Sequence, residues 1–438
     1  MPRHAIPRAS RARRVLSVLV GAVAVGLVVT LVAVTQPWAA PAATPTATHS
    51  PQPPVLASPL ATPTTPSAPK PTPTVKPLSA PKDVAVGALT DGHAELTWRA
   101  VKGATRYLVR YSPNKSMKGA KSVKVKEPTA TLGLPNNTLY YVQVAALSSI
   151  QGKLSPPLPV TVAPLVVGSF NIHCSSCHKS GSLSWPARRA NVVRLINDES
   201  PDVLGLQEAL TTRGQIFQLM ASLGSKYALV AAPGVKDGTR IIYQPAKLRL
   251  VQSGVRMLPG GGFRRYANWA IFLQRSTGKK IFIMNAHLEP GKGQAGRRAS
   301  QTRALLAETR AHRGGLPTYV VGDFNAFKFD GTGNQPYRML TAAGYRDPLG
   351  NTYRSHAPSP SAFVAKRINT NFDTSNRFLA SPPRKSYANG THLDYILVTS
   401  GITIAEFEVV VRVNAQGRWT MRPIPSDHNM VRVTSFLP

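Results

Sequence analysis

The sequence predicts an α/β domain over residues 165–438, preceded by a small all-β sandwich over residues 79–164. Three observations carry this expectation. Short alternating strands without helical periodicity fill the first segment, whereas apolar runs of the buried-strand type alternate with longer amphipathic stretches in the second. The character changes abruptly at Ala163-Pro164. A chain of 438 residues is too long for one average domain, and a hydrophobic content of 42% supplies apolar side chains for more than one core.

The N-terminus reads as an export element. Arg3, Arg8, Arg11, Arg13 and Arg14 precede residues 15–34, which carry no charge. As a helix this run spans about 30 Å, the thickness of a bilayer core. Basic residues stay on the cytoplasmic side, so everything after Gln36 is expected on the far side. Residues 1–36 are thus a signal peptide or a signal-anchor helix. The long apolar run fits the anchor, and the Ala-rich stretch Trp38-Ala39-Ala40-Pro41-Ala42 fits cleavage. The rest of the chain is then secreted, or held at the membrane by the uncleaved helix. Residues 37–78 repeat Pro, Thr, Ala and Ser with only Lys70 and Lys76 charged, which predicts an extended linker.

The strands of residues 79–164 include Ala94-Glu-Leu-Thr-Trp98, Tyr107-Leu-Val-Arg-Tyr111 and Tyr140-Tyr-Val-Gln-Val-Ala145. With Pro81 at the opening, Trp98 at a core position, Val101-Lys-Gly-Ala-Thr-Arg-Tyr107 leading into the next strand, and Leu134-Pro135 before Thr138-Leu-Tyr140, the segment resembles a fibronectin type III domain. The resemblance implies core roles for Trp98 and Tyr140. It implies a spacer or adhesion module, with contact to a cell surface or polysaccharide as a further partner.

Chemistry concentrates at the ends of the apolar runs in residues 165–438. Leu165-Val-Val-Gly-Ser-Phe ends in Asn171, and Asp202-Val-Leu-Gly-Leu-Gln ends in Glu208. Ile281-Phe-Ile-Met-Asn-Ala ends in His287, and Tyr319-Val-Val-Gly ends in Asp323, with Asn325 two residues on. Asp394 opens Tyr395-Ile-Leu-Val398, while Ser426-Asp427-His428 opens Met430-Val-Arg-Val433. Strands of mixed direction bring opposite termini to one rim, so the six clusters can converge. Buried charges at such places are costly unless they pair or bind metal. Carboxylate and amide oxygens suit Mg²⁺, Mn²⁺ or Ca²⁺. Two histidines suit acid–base work near neutral pH. Together they point to metal-assisted hydrolysis of a phosphate ester.

Ser169-Phe-Asn-Ile172, Leu204-Gly-Leu-Gln-Glu208, Asn285-Ala-His-Leu288, Gly322-Asp-Phe-Asn-Ala326, Leu393-Asp-Tyr-Ile396 and Ser426-Asp-His428 stand in the order of a known motif set. By these motifs the domain resembles the endonuclease/exonuclease/phosphatase superfamily. The resemblance implies a four-layer α/β (α+β) sandwich, two sheets packed face to face with helices outside. It implies that Glu208 is the principal metal ligand, that Asn171 helps hold the metal or phosphate, and that Asp427 supports a metal. Asp394 would orient His428 as base, His287 would contact the phosphate, and Asp323 and Asn325 would position water and the transition state. Asp323 and His428 are a pair whose division of labour is open. Arg240 and the Arg264-Arg265 pair are further phosphate contacts, against solvated surface arginines.

The formal charge of +34 is spread over every segment. It fits general basicity or adhesion to an anionic surface, and equally a polyanionic partner, nucleic acid first. An extracellular nuclease is the leading expectation, with a phospholipid or phosphoinositide phosphohydrolase as the alternative. The two cysteines lie in His173-Cys-Ser-Ser-Cys-His178. In an exported protein a disulfide between Cys174 and Cys177 is expected, against a c-type haem attachment, a crowded zinc site or free thiols. This loop follows Asn171 and borders the site. Residues 354–389 read as either a substrate-facing insertion or a mobile loop.

Overall fold

A computed structural model describes residues 76–438, except 179, 261–262, 329–333, 351–360 and 387–388. The expected export helix, most of the linker and part of residues 354–389 lie outside the described residues. Among the described residues no helix is long and apolar enough to cross a membrane.

Residues 165–438 fold as expected into four layers. The first sheet has seven strands in the order Ala228–Leu229, Arg240–Tyr243, Val203–Gln207, Leu165–Asn171, Val431–Phe436, Thr403–Val409 and Lys366–Ile368. The second has five: Leu248–Leu258, Arg265–Gln274, Lys280–His287, Thr318–Asp323 and Asp394–Val398. Alternation decides which side chain goes where. Leu165 and Val167 point inward against Phe272, Ile283, Val321 and Ile396 of the facing sheet. Their neighbours Phe170 and Leu206 point outward onto the helices Trp185–Glu199 and Gln215–Leu223. Phe282, Met284 and Val320 cover the other outer face with the helices Ala295–Arg313 and Gln335–Ala342.

Strand direction sets the rim. Val203–Gln207 runs parallel to Leu165–Asn171, pairing Gln207 with Asn171. Thr318–Asp323 runs parallel to Lys280–His287, pairing Asp323 with His287. Asp394–Val398 and Val431–Phe436 run antiparallel to their neighbours, which places Asp394 opposite Asp323 and Val431 opposite Ser169. The polar ends of all six strands therefore share one edge of the sandwich. Just beneath it, Asn285 spans the sheets, its Nδ2 donating to the Leu206 and Arg240 carbonyls at 3.0 and 2.7 Å.

Residues 76–164 form two antiparallel sheets. Ala85–Thr90, His93–Thr97 and Thr129–Gly133 make one; Lys121–Val125, Arg106–Ser112, Leu139–Leu147 and Gln151–Leu154 make the other, with Leu158–Thr161 also on Leu139–Leu147. Trp98 is buried between them. The ring against it is Tyr107, 5.3 Å away edge to face, whose hydroxyl accepts from the Val101 backbone at 2.9 Å. Tyr140 is half-buried and packs against this core from the same strand face as Val142 and Val144. Phe436, from the last strand of residues 165–438, also lies in this core.

Candidate active site

Asn171 is the hub. Its Nδ2 donates at 3.1 Å both to Glu208 Oε1 and to Asp323 Oδ2, while its Oδ1 accepts the His173 backbone N–H at 3.0 Å. Asp323 Oδ2 lies 3.5 Å from His287 Nε2 and 3.8 Å from His428 Nε2. His428 Nδ1 is hydrogen-bonded to Asp394 Oδ2 at 2.9 Å. Asn171, Glu208, His287, Asp323, Asp394 and His428 thus line one place.

The turns that present these groups are held tightly. Glu208 has φ 59 and Asn325 φ 47, left-handed conformations that cost energy and persist only where the surroundings enforce them. At Glu208 the enforcement is visible. The Cys174 N–H donates to Glu208 Oε2 at 2.8 Å, and Gly238 packs on the Glu208 backbone so closely that a Cβ there would lie 2.6 Å from the Glu208 carbonyl carbon. Ser426 Oγ donates to the Asn171 carbonyl at 2.6 Å, tying the Asp427–His428 turn to the first strand. The Asn376 and Arg377 N–H groups cap the Asp427 carbonyl at 2.7 and 2.9 Å. The described part of residues 354–389 therefore buttresses the site.

Electrostatics divide the groups. Burial and the neighbouring Asp394 charge push the Asp323 carboxyl up to about 7, against His428 and its own hydrogen bonds. Burial opposes protonation of His428, but Asp394 and Asp323 outweigh it and raise its pKa well above the ordinary value. His287 moves the other way, held well below its ordinary value by burial and by the Arg265 and His428 charges. Arg265 Nη1 meets His287 Nδ1 at 3.1 Å. A guanidinium only donates, so His287 is neutral with its proton on Nε2, facing Asp323 and the cleft. Burial works to raise Asp427, yet the His173 hydrogen bond and the His428 and His173 charges bring it to about 2.

Glu208 and Asp427 are the partly exposed carboxylates and flank His173 Nδ1, at 4.0 and 3.2 Å. Carboxylate oxygens are hard donors of the kind divalent cations take, and Glu208 with His173 belongs to a cluster of donor atoms close enough together to share an ion. Cys174 and Cys177 are joined in a disulfide. Their loop edges a cleft of about 510 Å³ lined also by Glu208, Lys236, Phe263, Arg264, Arg265 and His287.

Two expectations are corrected. The Arg240 guanidinium turns into its own loop and donates to the Thr239 and Val235 carbonyls at 2.8 and 3.0 Å; Lys236 and Arg264 take the place it was given on the cleft wall. The Asn325 amide donates to the Leu288 carbonyl at 3.0 Å, and its backbone N–H holds Asp323 Oδ1 at 2.9 Å. It braces Asp323 instead of reaching outward. Sequence reasoning missed Arg188, fully buried and donating to four carbonyls: Leu183 at 2.8 Å, Ile172 at 3.0 Å, Pro425 at 2.5 Å and His173 at 3.0 Å. The signal in the sequence is its place three residues after Trp185 and four before Val192, on the buried face of the helix, which the half-buried Arg189 beside it does not share.

A carboxylate–imidazole pair, a second neutral imidazole and a hard-donor cation site on one sandwich rim define a hydrolase of phosphoric esters. Comparison of sequences gives the same class: the endonuclease/exonuclease/phosphatase family profile matches residues 168–428, and the chain belongs to that family. The family generally uses divalent metals. Protein angel of Drosophila melanogaster is 26% identical over 157 residues, 33% of this chain and 44% of that protein, so the chain spans less than half the length of this curated relative. Among solved structures, an endonuclease/exonuclease/phosphatase family protein from Bacteroides thetaiotaomicron is similar at 20% identity and TM-score 0.50, over 63% of this chain and 98% of that one. One from Bacteroides vulgatus is similar at 21% identity and TM-score 0.50, over 63% and 99%. At these identities the likeness concerns the fold.

Proposed function

We propose that the chain is an exported, divalent-metal-dependent phosphodiesterase that cleaves nucleic acid. The cleft carries this reading. Lys236, Arg264 and Arg265 line the approach to Glu208 and His287, and Phe263 stands 77% exposed on the same wall. Cations along a groove match a phosphate backbone, and an exposed ring offers a stacking face to a base. The net charge of +34 adds attraction at long range.

Glu208, Asn171 and Asp427 would hold Mg²⁺, Mn²⁺ or Ca²⁺, which would polarise a phosphoryl oxygen and offset developing charge. The charges divide the Asp323–His428 pair. Asp323, with a carboxyl near 7, takes the proton of the attacking water. His428, kept protonated by Asp394, and His287, through its Nε2–H, donate to phosphate oxygens. Asn325 positions Asp323 through the backbone hydrogen bond described above.

The Arg-rich start and uncharged residues 15–34 support export, with the enzyme secreted or anchored outside the membrane. The order of strands around Trp98 supports reading residues 79–164 as a fibronectin type III-like spacer or adhesion module.

Met257 and Phe263, 57% and 77% exposed, bracket the turn between the two long strands beside the cleft. That apolar pair favours a second reading, a phospholipid phosphodiesterase. Purified full-length protein assayed on plasmid DNA, RNA and phospholipid vesicles, with Mg²⁺ and with EDTA, separates the two. Metal-dependent degradation of DNA or RNA is expected. Hydrolysis of lipid alone refutes the nucleic-acid reading.

A further inference from the structure

We propose that His173 is itself a ligand of the bound cation, through Nδ1, and that this nitrogen donor biases the site toward Mn²⁺, Co²⁺ and Zn²⁺ over Mg²⁺ and Ca²⁺. The inference rests on the metal-dependent phosphodiesterase reading of the same site.

The distances suit a shared ion. His173 Nδ1 lies 3.2 Å from Asp427 Oδ1 and 4.0 Å from Glu208 Oε2. Around an octahedral ion with bonds of about 2.1 Å, adjacent donors stand about 3.0 Å apart and opposite ones about 4.2 Å. The 3.2 Å separation is near the adjacent spacing and the 4.0 Å separation near the opposite one. The other ring nitrogen is occupied: His173 Nε2 and His178 Nδ1 are 2.8 Å apart. Without an ion Nδ1 hydrogen-bonds to Asp427; with the shared proton on Nε2, a cation takes the place of the Nδ1 proton and Nδ1 offers it a lone pair. A ligating histidine is commonly fixed in this way by a partner on its far nitrogen.

The residue is built in, not draped over the site. It is 7% exposed, with φ 56, and Phe378 packs edge-on against its ring at 5.0 Å. Its carbonyl is held by Arg188 Nη2 at 3.0 Å and Gln215 Nε2 at 2.9 Å. The competing occupant of the gap is a proton, which would make His173 an imidazolium paired with Asp427. Imidazole nitrogen stabilises borderline transition metals far more than Mg²⁺ or Ca²⁺, and a proton does not discriminate among ions.

The full chain loaded with Mn²⁺ is examined by pulsed EPR for coupling of the ion to a directly bound ¹⁴N, and Mn²⁺ and Mg²⁺ affinities are measured by calorimetry. Wild type is expected to show the coupling. His173→Gln should lose it, with Mn²⁺ affinity falling about 10–100-fold and Mg²⁺ affinity nearly unchanged. His178→Ala, at an exposed position, should alter the size of the coupling while leaving the fold intact. Coupling that is absent from wild type, or survives in His173→Gln, overturns the proposal, as does an equal loss of both affinities. A wild type that lacks the coupling yet still cleaves a phosphodiester with Mg²⁺ leaves the broader reading standing. One that binds neither ion ends both.

Discussion

Replacing Arg188 with Met removes a buried cation while keeping most of the side chain's volume. Four carbonyl oxygens lose their donor, those of Ile172, His173, Leu183 and Pro425. A hydrogen bond to a charged group contributes about 1.5–3 kcal/mol. Set against this is the cost of burying the guanidinium. Burial lowers its pKa to about 10 against the opposing Asp427 and Glu208 charges, so it remains protonated at neutral pH. Leaving a buried acceptor unsatisfied costs about 1–3 kcal/mol, so with four carbonyls set against the desolvation of the guanidinium a net loss of about 3–5 kcal/mol is expected. For a domain of this size each kcal/mol shifts the melting midpoint by roughly 2–4 °C, so calorimetry on the full chain should show Tm lower by about 10 °C. Activity should fall at temperatures where the variant is still folded, because Ile172–His173 directly follow Asn171 and Pro425 directly precedes the Ser426–His428 turn. Arg188→Lys, with three donors on a point charge, should fall between. An Arg188→Met protein with Tm within about 2 °C of wild type and unchanged kcat refutes the assignment of Arg188 as the clamp between those turns.

Three further outcomes follow. Glu208→Gln and His428→Ala should each lower kcat on a phosphodiester by about 10²–10⁴-fold with wild-type circular dichroism; near-normal turnover in either excludes it from the chemistry. kcat/KM should rise as pH passes through about 7, where Asp323 loses its proton, and fall at alkaline pH as His428 loses its own. These macroscopic values belong to the pair. Asp394 is the largest influence raising His428, so Asp394→Asn should move the alkaline limb to lower pH, and an unmoved limb counts against that orientation. Gly238→Ala, at φ +81 and against the Glu208 backbone, should shift that carboxylate and weaken Mn²⁺ affinity about tenfold, read by calorimetry; unaltered affinity argues against the close packing.

The core of the site was legible because strand register is a local property. An apolar run closing on His287 or Asp323 announces both its burial and its terminus, and parallel pairing then sets those two side by side. Asp394 and His428 were legible for the same reason. What escaped depends on groups that sequence pattern does not display. Arg188 bonds only to main-chain carbonyls, whose positions are fixed by tertiary structure. The brace at Asp427 comes from the N–H groups of Asn376 and Arg377, which any residue but proline supplies. Arg240 and Arg265 look alike in sequence, yet the first meets backbone carbonyls and the second the His287 ring. His173 was read with its cysteines, and only the fold shows that its ring faces Asp427.

Phe436 belongs to the enzyme by chain position and to its neighbour by packing, which has a practical corollary. Severing the polypeptide at Pro164 to isolate the hydrolase would leave a benzyl group facing solvent and a hole in the discarded module. Each half would be prone to self-association. Changing this ring to a small residue should loosen the junction itself, turning a welded pair into beads on a string.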